Sequence, residues 1–285
     1  MPGKKEPTTN TALTPAERVA LARHANRPGT AEFIDALFDD FFEMKGDRLC
    51  GEDGSILGGV ALFHGRPVTV LGHRKGRDLE EHLKYHFGMP SPEGYRKAGR
   101  LMQQAVKFGR PVITFIDTPG AYPGIEAEAH GQGDAIARSL ALMSHLKVPV
   151  ISVVTGEGGS GGALALAMGN SVLMLENAVY SVLSPEGFAA VLWKDASRSA
   201  EASEVMKLTA ADLLEMGVID EIVEEPAGGA HEHPKAVYKK LNSAISRHLE
   251  LYENMNGSAL VSHRCKKFAS MGKRYLTNLD IEQDL

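Results

Sequence analysis

Cysteine is nearly absent from this chain: Cys50 and Cys265 are the only two in 285 residues. That excludes a four-cysteine zinc ribbon within the chain and suits a reducing, cytoplasmic compartment. Long apolar runs are missing too. None approaches the roughly 20 residues of a membrane-spanning helix, and the opening MPGKKEPTTNTALTP lacks the apolar stretch of a secretory signal. There is no basic excess. The net charge is -5, so the electrostatic footprint of a general nucleic-acid binder is not there. What remains is globular material, 43% apolar and 24% charged, enough for one large domain with helical appendages.

Local signals place the elements. Residues 1–13 are polar and read as a disordered lead. Thr14-Pro15-Ala16-Glu17 is a capping box with proline at the first helical position. Thr30 precedes a second helix, with Phe33, Leu37, Phe38, Phe41 and Phe42 as a core-facing stripe. Ile56–Phe63 and Pro67–Leu71 flank His64-Gly65-Arg66 as a hairpin. Ser91-Pro92-Glu93 opens a helix that ends near Phe108 at Gly109-Arg110-Pro111. Val112–Asp117 and Val148–Thr155 are buried strands. Each leads through a glycine loop (118–124, then 156–160) into a helix, the first running to about Leu146 and the second covering about Gly161 to Met168. Ser171–Leu175, Val179–Leu183 and Val218–Val223 read as further strands, and about Lys235 to Glu253 as a long amphipathic helix. Strand, loop and helix in repetition predict an α/β fold with helices covering a sheet.

The segment Gly156-Glu157-Gly158-Gly159-Ser160-Gly161-Gly162 satisfies several motifs at once. Gly156-x-Gly158-x-x-Gly161 matches a dinucleotide fingerprint, with Glu176 roughly where a ribose-binding acid would lie. It falls past the middle of the chain, whereas that fingerprint normally opens the first βαβ unit. Gly158-x-Ser160-x-Gly162 matches a nucleophile elbow, which would pair Ser160 with His231 or His233 and with Asp212 or Asp220. A third reading needs only backbone: N–H groups at a helix start favour developing negative charge, and two such loops would hold two anionic centres.

The residues around these loops carry a longer pattern. It includes Phe115-Ile116-Asp117-Thr118-Pro119-Gly120-Ala121-Tyr122-Pro123-Gly124, Gly131-Gln132 and the glycine segment through Ala165. Gly72-His73-Arg74-Lys75-Gly76, Phe87 through Ala98, Tyr180 through Gly187 and Glu225 through His231 extend it. This pattern, over roughly residues 18 to 255, resembles the carboxyltransferase α subunit of multi-subunit acetyl-CoA carboxylase. The resemblance implies a crotonase-like superhelix of repeated ββα units with added terminal helices. It divides the chain into a tail and short helix (1–26), a carboxyltransferase domain (27–255) and a basic tail (256–285).

The implied activity is transfer of a carboxyl group from carboxybiotin, carried on a biotin carboxyl carrier protein, to acetyl-CoA. The product is malonyl-CoA for fatty acid synthesis. The implied partners are a zinc-bearing β subunit in an α2β2 assembly and, in the full complex, biotin carboxylase. No metal is expected in this chain. Gly120, Ala121, Gly161 and Gly162 are the expected oxyanion donors, with Tyr122, Pro123, Gly158, Gly159 and Ser160 lining the biotin or substrate site. The order of the two loops stays open, as do a paralogue acting on another acyl-CoA and a Ser160 hydrolase of the same fold. The chain departs from the family at its short lead before Arg27, which puts the usual N-terminal subunit contacts in question, and at Gly29 and Cys50, where bulkier or more polar residues are expected.

Other polar residues have weaker claims. Arg74, Lys75 and Arg96 are candidates for a CoA-phosphate or subunit contact, while a solvated face is the plainer reading. His82 and His86 stand four apart but lack the order of a zinc helix. His231 and His233 read as a polar loop. Arg264, Lys266, Lys267, Lys273 and Arg274 read as a solvated basic tail.

Overall fold

The computed structural model describes residues 13–273. The expected polar lead, up to residue 12, and Arg274 lie outside the described residues.

Thr14 Oγ1 accepts the Glu17 N–H at 3.2 Å and Glu17 accepts the Thr14 N–H at 2.7 Å, so the predicted capping box opens helix α1 (Pro15–Ala22). Helix α2 (Thr30–Leu37) follows, and the aromatic stripe then breaks. Phe41 and Phe42 lie on a strand, β1 (Asp39–Glu43), and Phe42 is exposed. Asp40, at φ 52°, leaves the helical path. β1 then lies on Gly59, where a Cβ would stand 2.0 Å from the Phe42 carbonyl oxygen. That close approach is a long-range fact, invisible to local periodicity.

β2 (Ile56–Phe63) and β3 (Arg66–His73) form the predicted hairpin, with Phe63 opposite Arg66. His64 and Gly65 both have positive φ (50° and 75°), the pair a two-residue turn of matching twist requires. Helix α3 (Leu79–Lys84) and a 3-10 turn over His86–Gly88 lead to α4 (Pro92–Phe108), which Gly109 ends at φ 66°. Strand β4 (Val112–Thr118) is buried along its whole length. The expected single helix to Leu146 is two, α5 (Ile125–Ala129) and α6 (Gln132–His145), separated by Gly131 at φ 83°.

Strand β5 (Val150–Gly159) runs four residues past its expected end, into the glycine segment. Helix α7 (Ser160–Ala167), β6 (Ser171–Leu175), β7 (Val179–Ser181) and α8 (Pro185–Trp193) follow. Then come α9 (Ser199–Val205), α10 (Ala210–Glu215), β8 (Glu221–Val223) and α11 (Pro234–Leu251). The strand–strand–helix order thus recurs. The eight strands make one sheet in the order β1-β2-β3-β4-β5-β6-β8, antiparallel through β3 and parallel beyond it, with β7 pairing the far end of β5. Phe33, Phe38, Phe115, Val153 and Leu166 sit in the main core on that sheet.

Two buried charges fasten the ends of the chain to the sheet. Arg27, between α1 and α2, pairs bidentately with Glu225 at 2.5 and 3.1 Å and donates to the Thr155 carbonyl at 2.6 Å. Asn177 adds two hydrogen bonds to the same carboxylate. Burial works against ionised Glu225, but Arg27 and Asn177 outweigh it and hold the carboxyl below its ordinary range.

The expected solvated basic tail is instead a docked helix, α12 (Gly257–Ser270), and Arg264 on it is fully buried. Its guanidinium donates to the carbonyls of Met143, Leu146 and Val148 at 2.8, 2.9 and 3.1 Å, and to Asn170 Oδ1 at 2.5 Å. Lys267 pairs with Asp220. Replacing Arg264 by Met would strand those carbonyls without a donor. The expected loss is about 2 to 4 kcal/mol of unfolding free energy, read by urea denaturation; an unchanged midpoint would show that water replaces the guanidinium freely.

Candidate active site

The site forms where β4 and β5 end side by side. Thr118 pairs with Gly158 after a shift of register, so both strands release their loops at one level. The loops touch backbone to backbone. A Cβ on Gly159 would lie 2.1 Å from the Pro119 carbonyl oxygen, and one on Gly162 would lie 2.6 Å from both Ala121 N and Gly120 C. The two glycine loops thus form one cradle of packed backbone.

The expected donors divide by their partners. The Gly120 N–H is taken by Thr118 Oγ1 at 3.1 Å, and the Tyr122 N–H by the Pro90 carbonyl at 3.1 Å. The Ala121 N–H has no hydrogen bond to any described residue. No side chain caps α7, so its first-turn N–H groups lack a capping acceptor. Gly162 and Gly158 are buried and serve close packing, whereas Gly161 and Ala121 are part-exposed. Ser160 is exposed, with φ 50° at the strand-to-helix turn.

The Tyr122 ring stacks on His86 at 4.4 Å and covers Gly124, where a Cβ would be 2.3 Å from the ring. Gln132 Nε2 donates to the Pro90 and Tyr122 carbonyls at 2.8 and 3.0 Å, which ties the start of α6 to this loop. Pro123 is exposed at its tip.

The three basic candidates are occupied within the chain. Arg74 donates to the Gly54 carbonyl at 2.9 Å and lies 4.1 Å over the Tyr85 ring. Arg96 bonds Asp47 at 2.8 Å, Glu93 at 2.9 Å and the His130 carbonyl at 2.9 Å. The Lys75 ammonium turns inward to Asp117 at 2.6 Å and Glu157 at 2.9 Å.

Glu157 continues to Arg23 at 2.7 Å, and Arg23 to Glu186 at 2.7 Å. Burial pushes Glu157 upward, but Lys75 and Arg23 outweigh it and hold the carboxyl below its ordinary range. Glu186, bonded by Arg23, is lowered to about 2. Asp117, Glu157 and Gln132 stood inside the quoted motifs without a role, and Arg23 outside them. Nothing local marks a strand-end acid as an ion-pair partner.

The alternative motif readings lose their geometry. Gly156 through Gly159 is strand, and Glu157, Gly158 and Gly159 pair with β7, so no phosphate-cradling loop exists there. Glu176 accepts the Glu225 N–H at 2.9 Å. No hydrogen bond joins Ser160 to a histidine among the described residues. His231 stacks on His24 at 3.7 Å, His233 precedes α11, Asp212 caps α10 with Thr209, and Asp220 accepts the Val172 N–H at 2.6 Å.

His82 and His86 do not share a helix face: His82 Nδ1 lies 2.9 Å from the Lys75 carbonyl, and His86 is in the 3-10 turn. Cys50, Glu93 and His130 bring ligand atoms within 4.8 Å of one another. Arg96 and His130 already hold the same Glu93 oxygen at 2.9 and 2.8 Å, and the Arg96 charge opposes a cation there.

A family model described as acetyl co-enzyme A carboxylase carboxyltransferase-like matches residues 3–272. The chain belongs to this family. Among relatives of the acetyl-CoA carboxylase carboxyltransferase family, a Clostridium acetobutylicum protein named acetyl-coenzyme A carboxylase carboxyl transferase subunit alpha is 54% identical, over 94% of this chain and 97% of that one. An Anoxybacillus flavithermus protein of the same name is 55% identical over 91% and 80%.

The fold is also that of more distant solved structures. Transcarboxylase 12S superposes with a TM-score of 0.65 at 19% identity, over 84% of this chain and 45% of that one. A Pseudomonas malonate decarboxylase hetero-tetramer chain, solved with coenzyme A, gives 0.62 at 17% over 80% and 92%. These neighbours bear out the expected crotonase-like carboxyltransferase fold.

His73 lies beneath the cradle, fully buried, with Nδ1 3.4 Å from the Asp117 N–H. Burial lowers it from 6.5 to about 3, so the folded chain keeps neutral an imidazole that the unfolded chain protonates. Its contribution to stability is therefore complete above the ordinary value and is lost as pH falls toward the folded one. Between about pH 7 and 5, denaturation of His73→Asn should show a shallower decline in stability than the parent, whereas parallel declines would exclude His73 as the source.

Proposed function

We propose that this chain is the α half of an acetyl-CoA carboxyltransferase, completed by a β subunit. The observation that carries this reading is the cradle itself: an Ala121 N–H with no hydrogen bond to any described residue, beside a helix start with no side-chain cap. The names of the relatives over nearly the whole chain support acetyl-CoA as acceptor. The exposed Val182 and Leu183 before α8, and Val191 and Leu192 on it, support a partner surface there. An α2β2 assembly, served by a biotin carboxyl carrier protein and biotin carboxylase, follows from the family resemblance. Among the described residues no helix is long and apolar enough to cross a membrane.

An anionic oxygen fits this donor set, because the donors are neutral backbone N–H groups at the positive end of a helix. Carboxybiotin, when its carrier presents it, supplies the carboxyl group and a nitrogen able to take the methyl proton of acetyl-CoA. The chain's task is to hold fixed dipoles where negative charge grows. Ala121 and the Gly161 turn of α7 are the assigned donors, and each donor of this kind contributes on the order of 100-fold or more. Gly159 and Gly162 bring the loops close enough for both donors to act together. Ser160 contributes its strained turn rather than its hydroxyl. Tyr122 and Pro123 shape the wall.

Co-expression with the β subunit, followed by biocytin-dependent decarboxylation of malonyl-CoA, tests the reading. Activity is expected only in the pair. A stable but inactive pair would remove acetyl-CoA as acceptor and turn the search to other acyl-CoAs. In the active pair, Gly162→Ala should lower kcat by about 100-fold by forcing the loops apart. Gly161→Ala, whose Cβ meets only Ile136 at 3.6 Å, should stay near the parent. Ser160→Ala should also remain within about threefold, and a larger loss would return the hydroxyl to the chemistry.

A further inference from the structure

Lys75 sits where three strands meet the cradle, and its surroundings are unlike those of a ligand-facing cation. Its stem packs on Gly88, where a Cβ would lie 2.5 Å from Cγ, and its backbone carbonyl faces His82 Nδ1 at 2.9 Å. Its ammonium meets Asp117, one residue before β4 ends, and Glu157, two residues before β5 ends. Asp117 also accepts the Glu157 N–H at 2.9 Å, which draws the two carboxylates together across the strands. Beyond Glu157 stand Arg23, at the end of α1, and Glu186, on α8. The remaining titratable neighbours are His73 on β3 and His82 on α3.

We infer that Lys75 is a positioning residue that clamps the ends of β4 and β5 and so sets the spacing of the two glycine loops. The assignment rests on the carboxyltransferase reading of the cradle, but the clamp is a property of this chain. The two carboxylates are like charges within reach of one ammonium, in a part-buried place where water screens little. With the ammonium removed they repel, and the strand ends that carry Pro119–Ala121 and Gly158–Gly162 part. Burial works against the charge of Lys75 itself, yet the two acids outweigh it and raise its affinity for a proton.

The test uses the α–β pair with Lys75→Met, Glu157→Gln and the double variant. Lys75→Met should lower kcat by about 100-fold, with KM for malonyl-CoA moved by less than about threefold. The double variant, which removes the repulsion along with the cation, should regain about tenfold over Lys75→Met. A raised KM with kcat unchanged would place the ammonium on the ligand and overturn the clamp, as would a double variant no better than the single.

Should Lys75→Met fail to fold, Glu157→Gln is compared with the double variant, and a soluble, ordered double variant with lost activity also overturns it. Amide hydrogen exchange of residues 156–163 in the chain alone gives a readout free of activity. Faster exchange in Lys75→Met, slowed again in the double variant, supports the clamp, and unchanged exchange overturns it. A parent pair that is stable but inactive removes acetyl-CoA as acceptor while leaving the exchange result to decide the clamp.

Discussion

Backbone lies on backbone at the centre of this molecule. Gly159 rests on the Pro119 carbonyl and Gly162 on the Gly120–Ala121 peptide, closer than any side chain permits. A parallel pair of strands delivers both loops to one point, and everything nearby serves to keep them there. Tyr122 is stacked on His86, Gln132 bridges the Pro90 and Tyr122 carbonyls, and Thr118 takes up the Gly120 N–H. A site made of peptide groups cannot be tuned by exchanging one side chain for another. It is tuned by where the strands stop.

Charge is used inside this fold to set positions. Arg27 and Glu225 are buried together, with Thr155 and Asn177 satisfying their remaining hydrogen bonds. Such a pair adds little net stability compared with apolar packing, but losing one member leaves an uncompensated charge. The arrangement therefore punishes misplacement of α1, β5, β6 or β8 relative to one another. The run Asp117, Lys75, Glu157, Arg23, Glu186 alternates in sign across the site and joins β3, β4, β5, α1 and α8.

Much of the fold was legible because its elements announce themselves locally. The capping box at Thr14, the hairpin at His64-Gly65 and the apolar runs Val112–Asp117 and Ser171–Leu175 all lie where expected. The failures have a common cause. Phe41 and Phe42 joined a strand because Gly59 offered room for a close neighbour, and β5 ran through Gly156–Gly159 because β7 paired with it. Both depend on residues distant in sequence. The glycine loops were visible as a site, but the division of their N–H groups into taken and free was not. Nor was the inward turn of Lys75, because a lysine beside arginines reads as a surface until its carboxylate partners are placed.

Arg264 gives the fold a direction in time. Its guanidinium fills the carbonyls of Met143, Leu146 and Val148, on the connection that feeds β5. A ribosome makes those carbonyls more than a hundred residues before it makes their donor. During synthesis the entrance to the central strand stays hydrated until α12 emerges and closes it. The cradle thus gains this support only once α12 has been made, so a nascent chain that stops short of it presents the glycine loops without it.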